Sequence, residues 1–151
     1  MSIKPLPLRR SRRPAYERSM TDAAHPASDA QTLKADVAGH RLEVIFNGEQ
    51  RLERLLALIG GAIRSVDLIM YIFEDDDAGR QVLDAMTAAA KRGVRVRAVI
   101  DSFGSGDISD SIFTPLRSAG GSVIFFSRRW RSSYLVRNHQ KLLLIDGEYG
   151  V

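Results

Sequence analysis

Two apolar runs separated by an amphipathic stretch constrain this chain more than any other feature. Val66 to Phe73 is apolar on both parities apart from Asp67, and Val94 to Ile100 reads as a second strand of similar length. A strand whose side chains are apolar on alternate and intervening positions alike is expected to be covered on both faces, and so to lie centrally in a sheet. Between the runs, Val82, Leu83, Met86 and Ala90 recur at helical spacing, with the acids Glu74 to Asp77 before them and Lys91, Arg92 and Gly93 after. Acids suit the positive end of a helix, bases and glycine its close. Strand, helix and strand in this order form a βαβ unit, which joins parallel neighbours by a right-handed crossover.

The pattern extends in both directions. Leu42, Val44 and Phe46 alternate as in a strand, and Asn47 with Gln50 three residues on has the form of a helix N-cap and its capping-box partner. Leu52, Leu55, Leu56, Ile59 and Ile63 then mark one buried helical face. A weaker helix is expected at about residues 109 to 118, interrupted by Pro115, followed by strands at Val123 to Phe126 and Lys141 to Ile145. Before Arg41 the chain has prolines at positions 5, 7, 14 and 26 and no sustained apolar period, so residues 1–40 are expected to be a flexible arm and residues 41–151 one domain. The arm is basic: Lys4, Arg9, Arg10, Arg12, Arg13 and Arg18 against Glu17 give +5, while the whole chain carries +4. Such an arm suits anionic lipid headgroups or nucleic acid phosphates. There is no cysteine, which removes disulfides, thiolate metal sites and thiol nucleophiles from consideration.

The chemistry concentrates near the C-terminal end of the sequence, where His139, Lys141 and Asp146 spell H-x-K-x4-D. Residues two apart in a strand share a face, so His139 and Lys141 can converge on one phosphate, the imidazole as nucleophile and the ammonium as oxyanion partner. Asp146 has the opposite parity. With Gly147 it reads as a tight hairpin turn, and its carboxylate is expected to orient neighbouring groups. Arg128, Arg129, Arg131 and Arg137, interleaved with Trp130 and Tyr134, form a basic aromatic loop before the motif. Arginine pairs with phosphate, so this loop is expected to guide an anionic substrate to the site. The run Glu74 to Asp77 is read as helix capping and dipole complement, with no metal assigned. Phe103-Gly104-Ser105-Gly106 is only weakly like a phosphate-cradling loop.

Tyr71-Ile72-Phe73-Glu74-Asp75-Asp76 with Gly79, Lys91 to Arg97, Asp101-Ser102-Phe103-Gly104-Ser105, and Arg137-Asn138-His139-Gln140-Lys141 with Asp146-Gly147 occur in an order that resembles the phospholipase D superfamily and, within it, the bacterial cardiolipin synthases. The resemblance covers about residues 42 to 151. It implies a layered α/β domain with a mostly parallel central sheet and helices on both faces. It also implies a phosphatidyltransferase acting through a phosphohistidine intermediate, with His139, Lys141 and Asp146 as catalytic motif residues, Arg137 and Asn138 near the substrate, and no cofactor or metal. The family builds its site from two such motifs. The chain is therefore expected to be the first half of a two-motif protein, truncated after Val151, leaving an unpaired sheet edge and poor solubility. It would need a second motif-bearing half or a homodimer.

The implied partners are an anionic phospholipid such as phosphatidylglycerol and a membrane surface, with the chain peripheral on the cytoplasmic face of a bacterial cell membrane. No run reaches the length of a transmembrane helix. A phospholipase D-type hydrolase, a dimeric single-motif nuclease and a non-catalytic lipid- or nucleic-acid-binding remnant stand as alternatives, with nucleic acid ranked behind lipid.

Overall fold

The computed structural model describes residues 32–106, 108–126 and 139–151. The chain opens with a hairpin of β1 (Leu33–Val37) and β2 (His40–Val44), followed by α1 (Gly48–Gly61), β3 (Ser65–Met70), α2 (Asp77–Lys91) and β4 (Arg95–Asp101). A 3-10 turn (Asp110–Phe113) leads into α3 (Thr114–Ser118), and β5 (Ser122–Phe126), β6 (Lys141–Ile145) and β7 (Tyr149–Gly150) complete the order. The main sheet runs β5-β4-β3-β6-β7, with β3 at its centre. Strands β3, β4 and β5 are parallel, whereas β6 is antiparallel to β3 and β7 to β6. The sheet is thus mixed, where a mostly parallel one was expected.

Local chemistry explains the helices. The Asn47 side chain accepts from the amides of Glu49 (2.8 Å) and Gln50 (3.2 Å), which caps α1. Asp76 Oδ1 accepts from Gly79 N at 2.7 Å and caps α2, while Asp75 pairs with Arg80 at 2.7 Å. Two of the four consecutive acids are therefore engaged in holding the first turn of α2. At the other end of α2, the Arg92 guanidinium reaches across to the carbonyls of Gly60 (2.9 Å) and Ile59 (3.3 Å), satisfying the exposed end of α1. Pro115 starts α3 instead of interrupting it, since a residue in the first turn has no helical carbonyl for its N–H to meet.

The core lies between the helices and one face of the sheet. Val66 and Leu68 of β3, Val96, Ala98 and Ile100 of β4, and Leu143 and Ile145 of β6 are buried with Ile59, Met86, Ala89, Phe113 and Leu116. The other face carries Arg95 and Arg97, both exposed, with Asp67 bound to Arg97, and Ile124 and Leu142 are 59% and 43% exposed. Among the described residues the helices therefore form one layer, on the face away from these arginines. The reason is visible in β4: beside the doubly apolar β3 it presents arginines on alternate positions, and these need water.

Two further differences concern the ends of elements. Ile63, expected in the buried face of α1, is 77% exposed because the helix stops at Gly61. β1 lies inside the stretch expected to be a flexible arm. It pairs with β2 in the register Leu33 to Val44 and Ala35 to Leu42, and Arg54 of α1 meets Glu43 at 3.5 Å. The alternation of Leu33, Ala35 and Val37 before Ala38-Gly39 was the signal for it. Residues 1–31, which hold the basic cluster, lie outside the described residues.

Candidate active site

Because β6 runs against β3, its first residue lies beside the carboxyl ends of the parallel strands. Lys141 pairs with Met70, the last residue of β3. The segments leaving β3 (Tyr71 to Phe73) and β4 (Ser102 to Gly106) converge at the same end of the sheet, where open α/β sheets bind ligands. His139 and Lys141 are both exposed there. Lys141 shares the strand parity of Leu143 and Ile145, so the strand directs it to the side on which the helices lie, and His139 lies two residues before it.

Tyr71 packs against His139 with ring centroids 4.2 Å apart and planes inclined at 37°. The backbone that carries Tyr71 is braced from β4. Ser105 Oγ accepts from Phe73 N at 2.8 Å and donates to Tyr71 O at 3.2 Å. The Ser105 turn is held in its own place by Asp101, 2% exposed, whose carboxylate accepts from Phe103 N (2.8 Å) and Gly104 N (3.1 Å). Gly104 lies so close that a Cβ there would fall 2.2 Å from Tyr71 O. The Phe103 to Gly106 segment, weakly like a phosphate loop in the sequence, is thus a brace whose amides serve an internal carboxylate. Sequence reasoning gave Tyr71 and Ser105 no individual role. The signal was Gly104, since a glycine in the turn that follows a strand marks either a special backbone conformation or a close backbone approach.

Asp146 lies at the opposite end of β6. Five residue steps separate it from Lys141, roughly 16 Å along an extended strand. Its backbone has φ 57°, with Gly147 at 74°, as a tight hairpin turn requires. Oδ1 accepts from Arg64 N and Ser65 N, both at 2.7 Å, and Oδ2 from Ile63 N at 3.1 Å. Arg64 returns a bond to Asp146 O at 2.7 Å. The Ser65 amide above all holds the carboxyl below its ordinary value; desolvation opposes it, and the amides of Ile63 and Arg64 with the Arg64 charge add to the lowering. His139 and Lys141 thus lie at one end of β6 and Asp146 at the other, where it ties the β6–β7 hairpin to the loop entering β3. Arg137, Asn138 and the loop of Arg128, Arg129, Trp130, Arg131 and Tyr134 lie outside the described residues.

A mixed α/β sheet with an H-x-K pair at the start of an antiparallel strand, beside the carboxyl ends of three parallel ones, defines a phospholipase D-like domain. The family model described as cardiolipin synthase, PLD-like domain, matches residues 55–151, and the chain belongs to that family. The major cardiolipin synthase ClsA of Bacillus subtilis is 39% identical over 113 residues, 72% of this chain and 23% of that protein. Cardiolipin synthase B of Escherichia coli K12 is 33% identical over 113 residues, 72% of this chain and 27% of that protein. The chain spans about a quarter of the length of these curated relatives. Among solved structures, NucT from Helicobacter pylori shares the fold, with a TM-score of 0.51 and 24% identity, covering 68% of this chain and 65% of that one.

Proposed function

We propose that this chain supplies one His-Lys pair of a cardiolipin synthase-like phosphatidyltransferase. The observation that carries the reading is the joint exposure of His139 and Lys141 at the carboxyl end of the parallel strands, in a chain of this family. One His139 ring nitrogen attacks the phosphorus of a phospholipid phosphodiester. The P–O bond to the first alcohol breaks, and the phosphatidyl group rests on the imidazole. Lys141 neutralises the non-bridging oxygens as charge builds on them. A second alcohol, the glycerol end of phosphatidylglycerol, then attacks phosphorus and releases His139. The proton for the first leaving alcohol comes from the histidine of a second motif, contributed by a second half or a second copy of the chain, and that histidine then takes the proton of the attacking alcohol.

Arg137 and Asn138 flank the phosphate in this reading, and Asp146 acts at a distance by fixing the register of β6 against β3. The chain works at the cytoplasmic surface of a bacterial membrane. Among the described residues no helix is long and apolar enough to cross one.

The test is turnover of phosphatidylglycerol labelled in its phosphatidyl moiety. An acid-labile label on the wild-type protein, absent in His139→Ala, is the expected result. Lys141→Ala should slow turnover about 10² to 10³-fold, the range seen when one oxyanion donor is removed. Label persisting in His139→Ala would assign the attack to another group, and a near-normal rate in Lys141→Ala would remove its charge-stabilising role.

A further inference from the structure

We propose that Tyr71 is a positioning residue that holds the imidazole of His139, and that the buried Ser105 and the Gly104 backbone hold Tyr71 in turn. The catalytic half of this inference rests on the function proposed above. An exposed histidine just before the start of a strand has rotational freedom about its side-chain bonds unless something packs on it. The Tyr71 ring, 4.2 Å from the imidazole, supplies that contact. Packing on a ring face leaves the in-plane ring nitrogens open, so the imidazole is restrained without a hydrogen bond competing for the atom that must attack phosphorus. A ring held near the attack geometry avoids part of the entropy cost of reaching it.

The restraint is only as firm as the backbone beneath it, and that backbone is unusually well tied. Tyr71 lies just past the end of β3, beyond the ladder that fixes Ser65 to Met70. The Ser105 hydroxyl replaces the ladder there, accepting from Phe73 N and donating to Tyr71 O. Ser105 is 5% exposed and Phe73 6%, so water cannot readily substitute for these bonds. Phe73 is itself packed against Phe113 at 5.5 Å between centroids. Gly104 completes the brace, since its missing side chain lets the turn approach within contact of both the Tyr71 carbonyl and ring. Asp101, Ser105, Tyr71 and His139 thus form one continuous chain of contacts from the end of β4 to the start of β6.

Two readouts on the purified protein test this. The first is the order of the His139 ring by NMR relaxation with carbon-labelled histidine. The chain has three histidines, so three ring signals suffice for assignment against His139→Ala. The second is kcat and KM on phosphatidylglycerol. Tyr71→Phe, which keeps the ring, should retain both ring order and kcat. Tyr71→Leu should free the His139 ring and lower kcat about two- to tenfold at unchanged KM, the rate equivalent of losing one aromatic pair. Tyr71→Met gives the same comparison if the leucine variant does not fold.

Ser105→Ala should loosen the ring in the same direction. In the double variant it should add nothing to Tyr71→Leu, because both act through one contact. A His139 ring as ordered in Tyr71→Leu and Tyr71→Met as in the wild type overturns the proposal, and additive losses in the double variant overturn the link through Ser105. Should the wild type, assembled with a second motif, fail to turn over phosphatidylglycerol, the functional reading falls by itself, while the ring-order comparison still decides whether Tyr71 holds His139.

Discussion

Leu142 and Leu143 are neighbours in β6, yet the one-sided helical layer makes them opposites, and substituting each by alanine tests the architecture that orients the site. Leu143 is 2% exposed among the helices, and its replacement removes buried carbons and leaves a cavity, a loss of about 2–5 kcal/mol. Leu142 is 43% exposed on the open face, borders solvent and leaves no closed cavity, so its replacement should cost about 1 kcal/mol or less. In urea, with a slope near 2 kcal/mol per M, the midpoint should fall by about 1 to 2.5 M for Leu143→Ala and by roughly 0.5 M or less for Leu142→Ala, at unchanged slope. Far-ultraviolet circular dichroism follows the transition. Equal shifts would refute the reasoning, because they would mean that the arginine-bearing face is as firmly covered as the helical one. They would also undo the orientation of Lys141, which shares the parity of Leu143.

Asp146 gives a prediction in pH. Its folded pKa is depressed chiefly by backbone N–H bonds, so its stabilisation is complete above the ordinary carboxylate value of 3.8 and is lost as pH falls through the lower folded value. Asp146→Asn should lower the urea midpoint at neutral pH and flatten the acid limb below 3.8, and an unchanged acid limb would show that the three amides do not depend on the charge. Gly104→Ala should destabilise by about 1–3 kcal/mol by overpacking, although alanine for glycine commonly stabilises. A thermal midpoint at or above wild type would contradict the close approach to Tyr71. Arg92→Met should cost about 1 kcal/mol by uncapping α1, read as faster hydrogen exchange at its last turn, and unchanged exchange there would separate Arg92 from the cap.

The βαβ unit, the caps of α1 and α2 and the strand bearing the motif were legible in the sequence because each is written in local terms: period, capping side chain, glycine stop. His139 and Lys141 were singled out as a pair for the same reason, since their spacing is written in a short motif at the start of one strand. Other features depend on which segments meet. Nothing local in Val66 to Phe73 tells that its second face lies beside the arginines of β4, or that β6 runs antiparallel beside it. Asp146 stands five residues from Lys141 in the motif, but a strand carries that spacing to the far end of the sheet, where the amides of Ile63, Arg64 and Ser65 claim the carboxylate. Tyr71 and Ser105 are 34 residues apart and His139 lies another 34 beyond Ser105, so no local periodicity could join them. The sequence by itself determined the βαβ unit, the helix caps and the strand at the motif, and it singled out the two side chains proposed to carry the chemistry. Only the tertiary structure decided which face is covered and what holds the histidine, because burial and ring contacts belong to pairs of segments that the chain brings together after each has taken its local form.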